Sequence, residues 1–517
     1  MTYFNMLVEL GYKEIEISIP TASDTEYDFT RQIIETPGAV PDDIWLQVLC
    51  PCRLDLIQRT VQSLKGAKRA IISLYFASSP VWLDTVFQIS QQDVYDKVVE
   101  AVKYAKSITK DVASHQGTVW NLMFSPEAFS GSDVSFCLRL CEAAKTIWAP
   151  TIENPIILNL PATVEMSTPN VYADQVEIFS RSISEREKVC VSLHVHNDRG
   201  CGVASAELGL MAGADRIEGC LFGNGERSGN VDLVTLALNL YTQGIDPCVD
   251  FSNISMVREV VEELTRIPVH PRAPYAGDLF FTAYSGAHQD AIYKGLTKYT
   301  TELGSPGHLW KVPYLTMDPE DLGSSHMDII RLNSQSGKGG VAWTLFHELH
   351  IELPKGLQHH FSKIVKTASE SNNGTIPPAS VAKLFLEHYF VSEKDPRILS
   401  GVVKQIRGPE DEHIKVDALA EIEGKRIQLQ GTGSDVISAL TSSLKASSIG
   451  NITFHVTNCV TNSQLEDVKG MIAVECRLGD GITSSWGVRN ASDGAVSELM
   501  AALSSVLNLC ELGEYAM

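Results

Sequence analysis

No apolar run in this 517-residue chain approaches the ~20 residues that a membrane-crossing helix needs. It also lacks any concentrated run of lysine and arginine. Acidic residues outnumber basic ones 63 to 42, a formal net charge of −21. That argues against a nucleic-acid partner and against an anionic membrane surface. An anionic cofactor can still be held by local backbone N–H groups or a few cations. The opening MTYFNMLVELGYKEIE has no apolar core of a secretion signal and is too acidic for a transit peptide. The 11 cysteines are scattered, and Cys50 and Cys52 form C-x-C, not the C-x-x-C of a zinc knuckle or redox site. Free thiols in a reducing compartment follow from this. The expected location is cytoplasmic, or mitochondrial if the natural N-terminus is longer.

Apolar residues make up 44% of the chain, enough for a large core and, at this length, two to four domains. Residues 1–250 alternate strand-like and amphipathic segments. The strand-like ones are 14–20, 45–51, 69–76, 118–124, 155–164, 189–196 and 215–223. Such alternation predicts a parallel sheet, either a (β/α)8 TIM-type barrel or a doubly wound open sheet. A closed barrel needs an eighth strand. The segment TYFNMLVELGY instead reads as a helix, with Phe4, Leu7, Val8 and Tyr12 at helical spacing. The reading is therefore a barrel over 1–277 whose first strand is missing. Residues 278–395 read as a helical linker, with 366–380 a loop by composition. Residues 396–517 hold two similar β-β-β-α units, an α+β duplication suited to ligand sensing or dimerisation.

SLHVHNDRG, residues 192–200, places His194 and His196 one residue apart on a strand, so both project to one face. A lone histidine at a barrel mouth is usually a satisfied polar group. A same-face pair followed by Asn197-Asp198 points instead to a divalent metal, whose further ligands come from other strand ends. GCLFGNGERSGNVDL (219–233) supplies Asn224, Gly225, Glu226 and Asn230 after the last strand, with glycines that let backbone approach a ligand. FSPEAFSG (124–131) and NLPATVEMSTPNVYAD (159–174) bring Ser125, Glu127, Asn159 and Thr163 to the same end. Glu127 is either an acid in a first helical turn or a catalytic acid/base. RLNSQSGKGG (331–340) imitates a phosphate-binding loop, but it lacks the first glycine and has Gly339 where Ser or Thr belongs.

These segments resemble blocks of the 2-isopropylmalate synthases, in the same order. So do HPRAPYAGDLFFTAYSGAHQDAI, WKVPYLTMDPED and RLNSQSGKGGVA. The resemblance spans nearly the whole chain and is nearest the long fungal and actinobacterial type. It implies a homodimer with a metal-dependent barrel, a helical linker and a leucine-sensing C-terminal domain. The implied reaction is condensation of acetyl-CoA with a 2-oxo acid, then thioester hydrolysis, with a divalent metal (Mg, Mn or Zn) as cofactor. By resemblance His194, His196 and Asn230 hold the metal. Glu127, His288 and Tyr314 are catalytic, Tyr314 completing the partner subunit's site. Leu49, Ser73, Tyr75, Ser125, Asn159, Pro161 and Thr163 line the oxo-acid site, Thr163 holding its carboxylate. Asn224, Gly225 and Glu226 flank the acetyl-CoA.

Three departures carry expectations. The family's first strand ends in Arg-Asp-Gly-x-Gln, and this chain has no Arg-Asp dipeptide. Either an upstream segment carries that strand, or the protein is truncated and catalytically inactive, or it acts as a non-catalytic, regulatory subunit beside a complete paralogue. Where the family has a pocket histidine and a polar residue, this chain has Ser73 and Phe76, which points to a bulkier 2-oxo acid, such as an aromatic one, from secondary metabolism. Arg489 and Asn490 stand where a small residue is usual in the sensing domain, so leucine feedback is expected to be weak or absent.

Overall fold

Seven parallel strands lie side by side in chain order: β1 (Glu14–Ser18), β2 (Trp45–Pro51), β3 (Arg69–Ala77), β4 (Val119–Glu127), β5 (Ile156–Ala162), β6 (Val189–Val195) and β7 (Arg216–Glu218). The intervening helices are α1 (Thr2–Glu9), α2 (Asp24–Glu35), α3 (Leu54–Ser63), α4 (Gln91–Ser107), α5 (Val134–Trp148), α6 (Pro169–Ser182), α7 (Gly202–Met211), α8 (Leu233–Thr242) and α9 (Ile254–Thr265). In this computed structural model all residues are described except 113–116, 304–308, 327–337, 350, 372–375, 390–396, 408–411, 423–424, 447–451, 460–470, 479–483, 491–494 and 512–517.

The sheet is curled rather than flat. At a spacing of roughly 4.8 Å between strands, the ends of a flat seven-stranded sheet would be about 29 Å apart. Yet Arg216 of β7 donates to Glu14 of β1 at 2.6 Å and to Gln47 of β2 at 3.1 Å. The two ends therefore face each other across a lumen, as the barrel reading requires, rather than splaying as in a doubly wound sheet. Strand alternation then sorts every side chain. Leu46, Val48 and Cys50, Ile72 and Leu74, Leu122 and Phe124, Leu158 and Leu160, and Val191, Leu193 and Val195 pack outward in the main core with the helices. Ile71, Met123 and Ile157, joined by Trp45 and Cys190, form a small apolar cluster inside the lumen.

The helices are punctuated by their own caps. At α4 the Ser90 hydroxyl accepts from the Asp93 N–H at 3.2 Å and the Asp93 carboxylate accepts from the Ser90 N–H at 2.8 Å, a reciprocal capping box. Val94, Val98, Ala101, Val102 and Ala105 then recur at helical spacing and are buried.

The chain divides into two units, Met1–Phe280 with Asp321–Gly323, and Phe281–Glu320 with Ser324–Met517. The second opens with α10 (Gly286–Thr301), α11 (Lys338–Leu349), α12 (Lys355–Ser371) and α13 (Pro378–Tyr389). The loop expected over 366–380 is thus partly helical. Val365 and Phe361 anchor α12 in an apolar cluster, and the amphipathic pattern carries the helix to Ser371 despite its polar composition. Then come β8 (Ile398–Arg407), β9 (Glu412–Ile422), β10 (Lys425–Gly433), α14 (Val436–Ala446), β11 (Ile452–Cys459), β12 (Met471–Leu478), β13 (Ser484–Asn490) and α15 (Ala495–Glu511).

The duplication extends to packing. Each half pairs its strands antiparallel in one three-stranded sheet. A Cβ on Gly431 of β10 would lie 2.1 Å from the Ala439 carbonyl oxygen of α14. One on Gly487 of β13 would lie 2.0 Å from the Ala501 oxygen of α15. Each helix therefore rests on the third strand of its own unit at a glycine. Two residues further on, the halves diverge: Gly433 in the first, Arg489 in the second. Arg489 is buried and its Nη2 lies 3.4 Å from Ser504 Oγ of α15.

Candidate active site

His194 is the penultimate residue of β6 and His196 follows the strand, with ring centroids 5.2 Å apart and planes tilted by 38°. The segment carrying Asn230 zips onto the same strand end. His196 and Asn230 form an isolated antiparallel bridge, Val231 N–H donates to Val195 O at 2.8 Å, and Asn197 N–H to Gly229 O at 2.9 Å. His196 Nδ1 and Asn230 Oδ1 are both buried, and among the described residues neither has a hydrogen-bond partner. Buried polar atoms without partners are costly, so two of them beside a second imidazole fit a cation that they would share. The Asn230 amide is oriented for this, since its Nδ2 is tied to Cys220 Sγ and to the Asn224 carbonyl, each at 3.3 Å. Burial, with the neighbouring His194 and Arg227, pushes His196 down to about 4, so it is the neutral imidazole a metal needs.

His194 is held differently. Its Nδ1 lies 3.1 Å from Glu218 Oε2. Burial alone would lower its affinity for protons, but the Glu218 carboxylate outweighs that and holds it above the usual histidine value. A carboxylate behind a ligating histidine fixes its tautomer and leaves Nε2 for the ion. Glu218 itself is largely enclosed, its side chain 11% exposed. Its carboxyl would be raised by that burial, but Arg216 at 2.7 Å, His194 and Gln47 at 2.9 Å hold it far below the usual range. Gln47 also donates to Glu16 at 2.7 Å, and Glu16 is raised by burial and by the adjacent Glu218 charge. The sequence reading missed Glu16, Gln47, Arg216 and Glu218. The signal was present in strand alternation: Glu16 lies between Ile15 and Ile17, Gln47 between Leu46 and Val48, and Arg216 and Glu218 flank Ile217, so all four take the face opposite the apolar one.

Leu49, Ser73, Tyr75, Ser125, Asn159 and Pro161 all occupy the lumen-facing alternation positions. Ser73, Ser125 and Asn159 are buried, with Asn159 Nδ2 donating to Ser125 Oγ at 3.2 Å. Ser73 Oγ and Asn159 Oδ1 have no partner among the described residues. Leu49, Tyr75 and Thr163 are half-buried. Phe76 does not join them. It lies on the opposite face of β3, against the outer core, with its ring 5.3 Å from that of Phe87. An adjacent strand residue must take the other face, so Phe76 is not part of the pocket wall.

Glu127 ends β4 on the lumen face. Burial first, then the charge of Glu226, raise its carboxyl above the usual value. It is not the first-turn helix acid that its motif also allowed. A short 3-10 turn, Phe129–Gly131, follows only after Ala128.

The loop carrying Asn224, Gly225 and Glu226 depends on its glycines. Gly225 has φ +144, and a Cβ there would sit 2.5 Å from Asn230 Nδ2. Arg227 pins the loop by donating to Asp198 at 2.9 Å and to the Thr163 carbonyl at 2.6 Å.

His288 and Tyr314 belong to the second unit. Their rings stack at 4.0 Å, both side chains are exposed, and Tyr314 holds a left-handed φ of 66°. The same unit contains Asp318, Glu320 and His326 close together. There Asp318 Oδ1 lies 2.8 Å from His326 Nε2, so these two side chains hydrogen-bond to each other. Residues 331–337 of the rejected phosphate-loop motif and the side chain of Asn490 lie outside the described residues.

Among the described residues no helix is long and apolar enough to cross a membrane. Residues 1–261 match the HMGL-like family, and residues 278–346 match the alpha-isopropylmalate synthase post-catalytic domain-like family. A 2-isopropylmalate synthase of Saccharomyces cerevisiae is 43% identical over 521 residues, covering 100% of this chain and 83% of that protein. One of Schizosaccharomyces pombe is 45% identical over 514 residues, covering 98% and 87%. An isopropyl malate synthase of Glarea lozoyensis is 44% identical over 512 residues, covering 94% and 80%. With the inward histidine pair, the carboxylate at the lumen rim and identity sustained along almost the entire length, the chain belongs to the 2-isopropylmalate synthase family, acyltransferases that use acetyl-CoA and usually need a divalent metal.

Proposed function

We propose that the chain condenses acetyl-CoA with a 2-oxo acid larger than 3-methyl-2-oxobutanoate, using Mg, Mn or Zn held by His194, His196 and Asn230, and that it works as a homodimer. The observation that carries the site is the pair of buried, partnerless atoms His196 Nδ1 and Asn230 Oδ1 beside His194. When bound, the ion supplies Lewis-acid polarisation of the oxo-acid carbonyl. The remaining work falls to side chains. Glu127, whose raised carboxyl readily holds and returns a proton, takes one from the acetyl methyl group. The Thr163 hydroxyl accepts from the Ala128 N–H at 2.9 Å and keeps its own hydrogen to donate to the substrate carboxylate. The Asn224–Glu226 loop flanks the acetyl-CoA. His288 and Tyr314, exposed and stacked, serve the site of a second copy.

Support for a larger oxo acid comes from Ser73. It lies in register between Leu49 and Met123, both inward-facing and much larger, and its hydroxyl satisfies nothing among the described residues. A short side chain at that level leaves room an imidazole would fill. In the sensing domain, Arg489 replaces a small residue beside α15, and this reading makes leucine a weak inhibitor.

Release of CoA thiol, measured with a series of 2-oxo acids before and after metal stripping, tests the reading. We expect metal-dependent turnover, with kcat/KM highest for an aryl-pyruvate or other bulky acid. A strong preference for 3-methyl-2-oxobutanoate ends the specificity claim, and undiminished turnover after stripping ends the metal claim. Full inhibition by leucine at low concentration refutes the reading of Arg489.

A further inference from the structure

Glu127 is followed by a residue in a conformation it would not choose. Ala128 has φ 60 and ψ 34, the left-handed region that a Cβ disfavours. Such a residue persists only where its surroundings over-determine it, and here they do. The Glu127 carbonyl accepts the Ser78 N–H at 2.9 Å and lies 3.0 Å from the Ser78 hydroxyl. The Ala128 N–H donates to Thr163 Oγ1 at 2.9 Å. The Ala128 carbonyl accepts from Ser132 Oγ at 2.8 Å and from the Gly131 N–H at 3.0 Å.

The hydroxyls form a directed chain. Each carries one hydrogen. Cys137 Sγ is 3.4 Å from Ser78 Oγ, and Ser78 Oγ is 2.9 Å from Ser132 Oγ, which reaches the Ala128 carbonyl. Every link is satisfied if the thiol donates to Ser78, Ser78 to Ser132 and Ser132 to Ala128, while the Glu127 carbonyl keeps the Ser78 N–H. Chains of this kind polarise along their length. Ser78 and Cys137 are buried, so water does not compete.

We propose that Cys137, Ser78, Ser132 and Thr163 form a clamp that forces Ala128 left-handed and thereby aims the Glu127 carboxyl across the lumen rim. Ser78 and Ser132 are positioning residues: they touch the peptide groups beside Glu127, not the substrate. The proposal rests on Glu127 being the proton-handling group of the condensation.

The test compares Ser132→Val with Ser132→Thr in the full-length chain. The two side chains are nearly equal in volume and differ in the hydroxyl. For Ser132→Val we expect kcat to fall about tenfold, in line with the cost of sub-ångström misplacement of a reacting group. KM for both substrates should stay within about twofold, and the acid limb of the kcat profile should move. Ser132→Thr should return kcat to within about twofold of the parent. Ser132→Ala, which adds no volume, gives the same reading should the valine variant not fold. Equal losses in Ser132→Thr and Ser132→Val, or a parental kcat and pH profile in both Ser132→Val and Ser132→Ala, overturn the clamp. Glu127→Gln is run alongside. If it keeps parental turnover, the assignment of Glu127 is wrong and the clamp falls with it. If Glu127→Gln is inactive while Ser132→Val and Ser132→Ala are normal, only the clamp is wrong.

Discussion

Glu218 stands behind His194, its Oε2 3.1 Å from the ring Nδ1, and the same carboxylate is held by Arg216 from its own strand and by Gln47 across the lumen. The far end of the sheet thus orients a histidine of the proposed metal site through residues that reach its near end.

Glu218→Gln keeps the shape and removes the charge. Loss of a carboxylate behind a ligating histidine typically costs 10–100-fold in metal affinity. We expect a loss in that range, read by competition with a chromophoric chelator. The metal-free variant should also melt earlier, because among the described residues Arg216 then keeps only Glu14 as an ion-pair partner and a largely buried charge left under-compensated is destabilising by roughly 3 kcal/mol. Parental metal affinity in this variant would show that His194 is not oriented by Glu218.

Glu226 is exposed, yet its charge helps hold the Glu127 carboxyl above its usual value, second to burial. Removing a nearby negative charge makes the ionised form less unfavourable, so Glu226→Gln should lower the Glu127 value. The acid limb of kcat then moves to lower pH. Since the interaction runs through solvent, the displacement should shrink at about 1 M salt, where screening acts within roughly 3 Å. A limb that stays in place at low salt would mean burial alone sets Glu127.

The alternation of strand and helix, the histidine pair and the Gly-rich loop were all legible, because each is a local pattern: period 2, period 3.6, or a run of small residues. The seven strand positions follow from the same patterns and differ from the structure mostly by a residue or two at their ends. What was not legible is pairing across the lumen. Gln47 and Glu218 are 171 positions apart and join only once the sheet curls. Phe76 was misplaced for the opposite reason. Its chemistry suggested a pocket wall, but strand parity had already assigned it to the outer layer. The tract 366–380 looked like a loop by composition, while the apolar face that keeps α12 helical to Ser371 is only visible against Phe361 and Val365.

Gly225 is fixed by geometry in two ways. Its φ of +144 lies where essentially only glycine is comfortable, and a Cβ would press on Asn230 Nδ2 at 2.5 Å. Gly225→Ala should therefore push Asn230 from its place opposite His196. Metal affinity should drop at least about tenfold, with a modest loss of stability of roughly 1–3 kcal/mol. Isothermal titration with Mn and a thermal melt separate the two effects. An alanine variant that binds metal as the parent does would remove Asn230 from the ligand set.

The paired glycines of the duplicated units give the last test. At Gly487 a Cβ would meet the Ala501 carbonyl oxygen at 2.0 Å and the Ser505 nitrogen at 2.8 Å, and at Gly431 the Ala439 oxygen at 2.1 Å and the Ser443 nitrogen at 2.9 Å. These neighbours are helix backbone, which cannot swing aside as a side chain can, so each helix must lift from its strand. Overpacking of this kind costs roughly 1–3 kcal/mol and here should reach the upper end. Gly38 is the control: its φ is +75 but nothing lies within 4 Å of an added Cβ, so Gly38→Ala incurs only the backbone term, about 1 kcal/mol. Hydrogen exchange should show amides of β12, β13 and α15 losing protection in Gly487→Ala, and those of β9, β10 and α14 in Gly431→Ala. Gly38→Ala should leave both groups unchanged. If Gly487→Ala protects its own half as well as the parent does, α15 does not rest on β13 through that glycine, and the packing equivalence of the two halves is wrong.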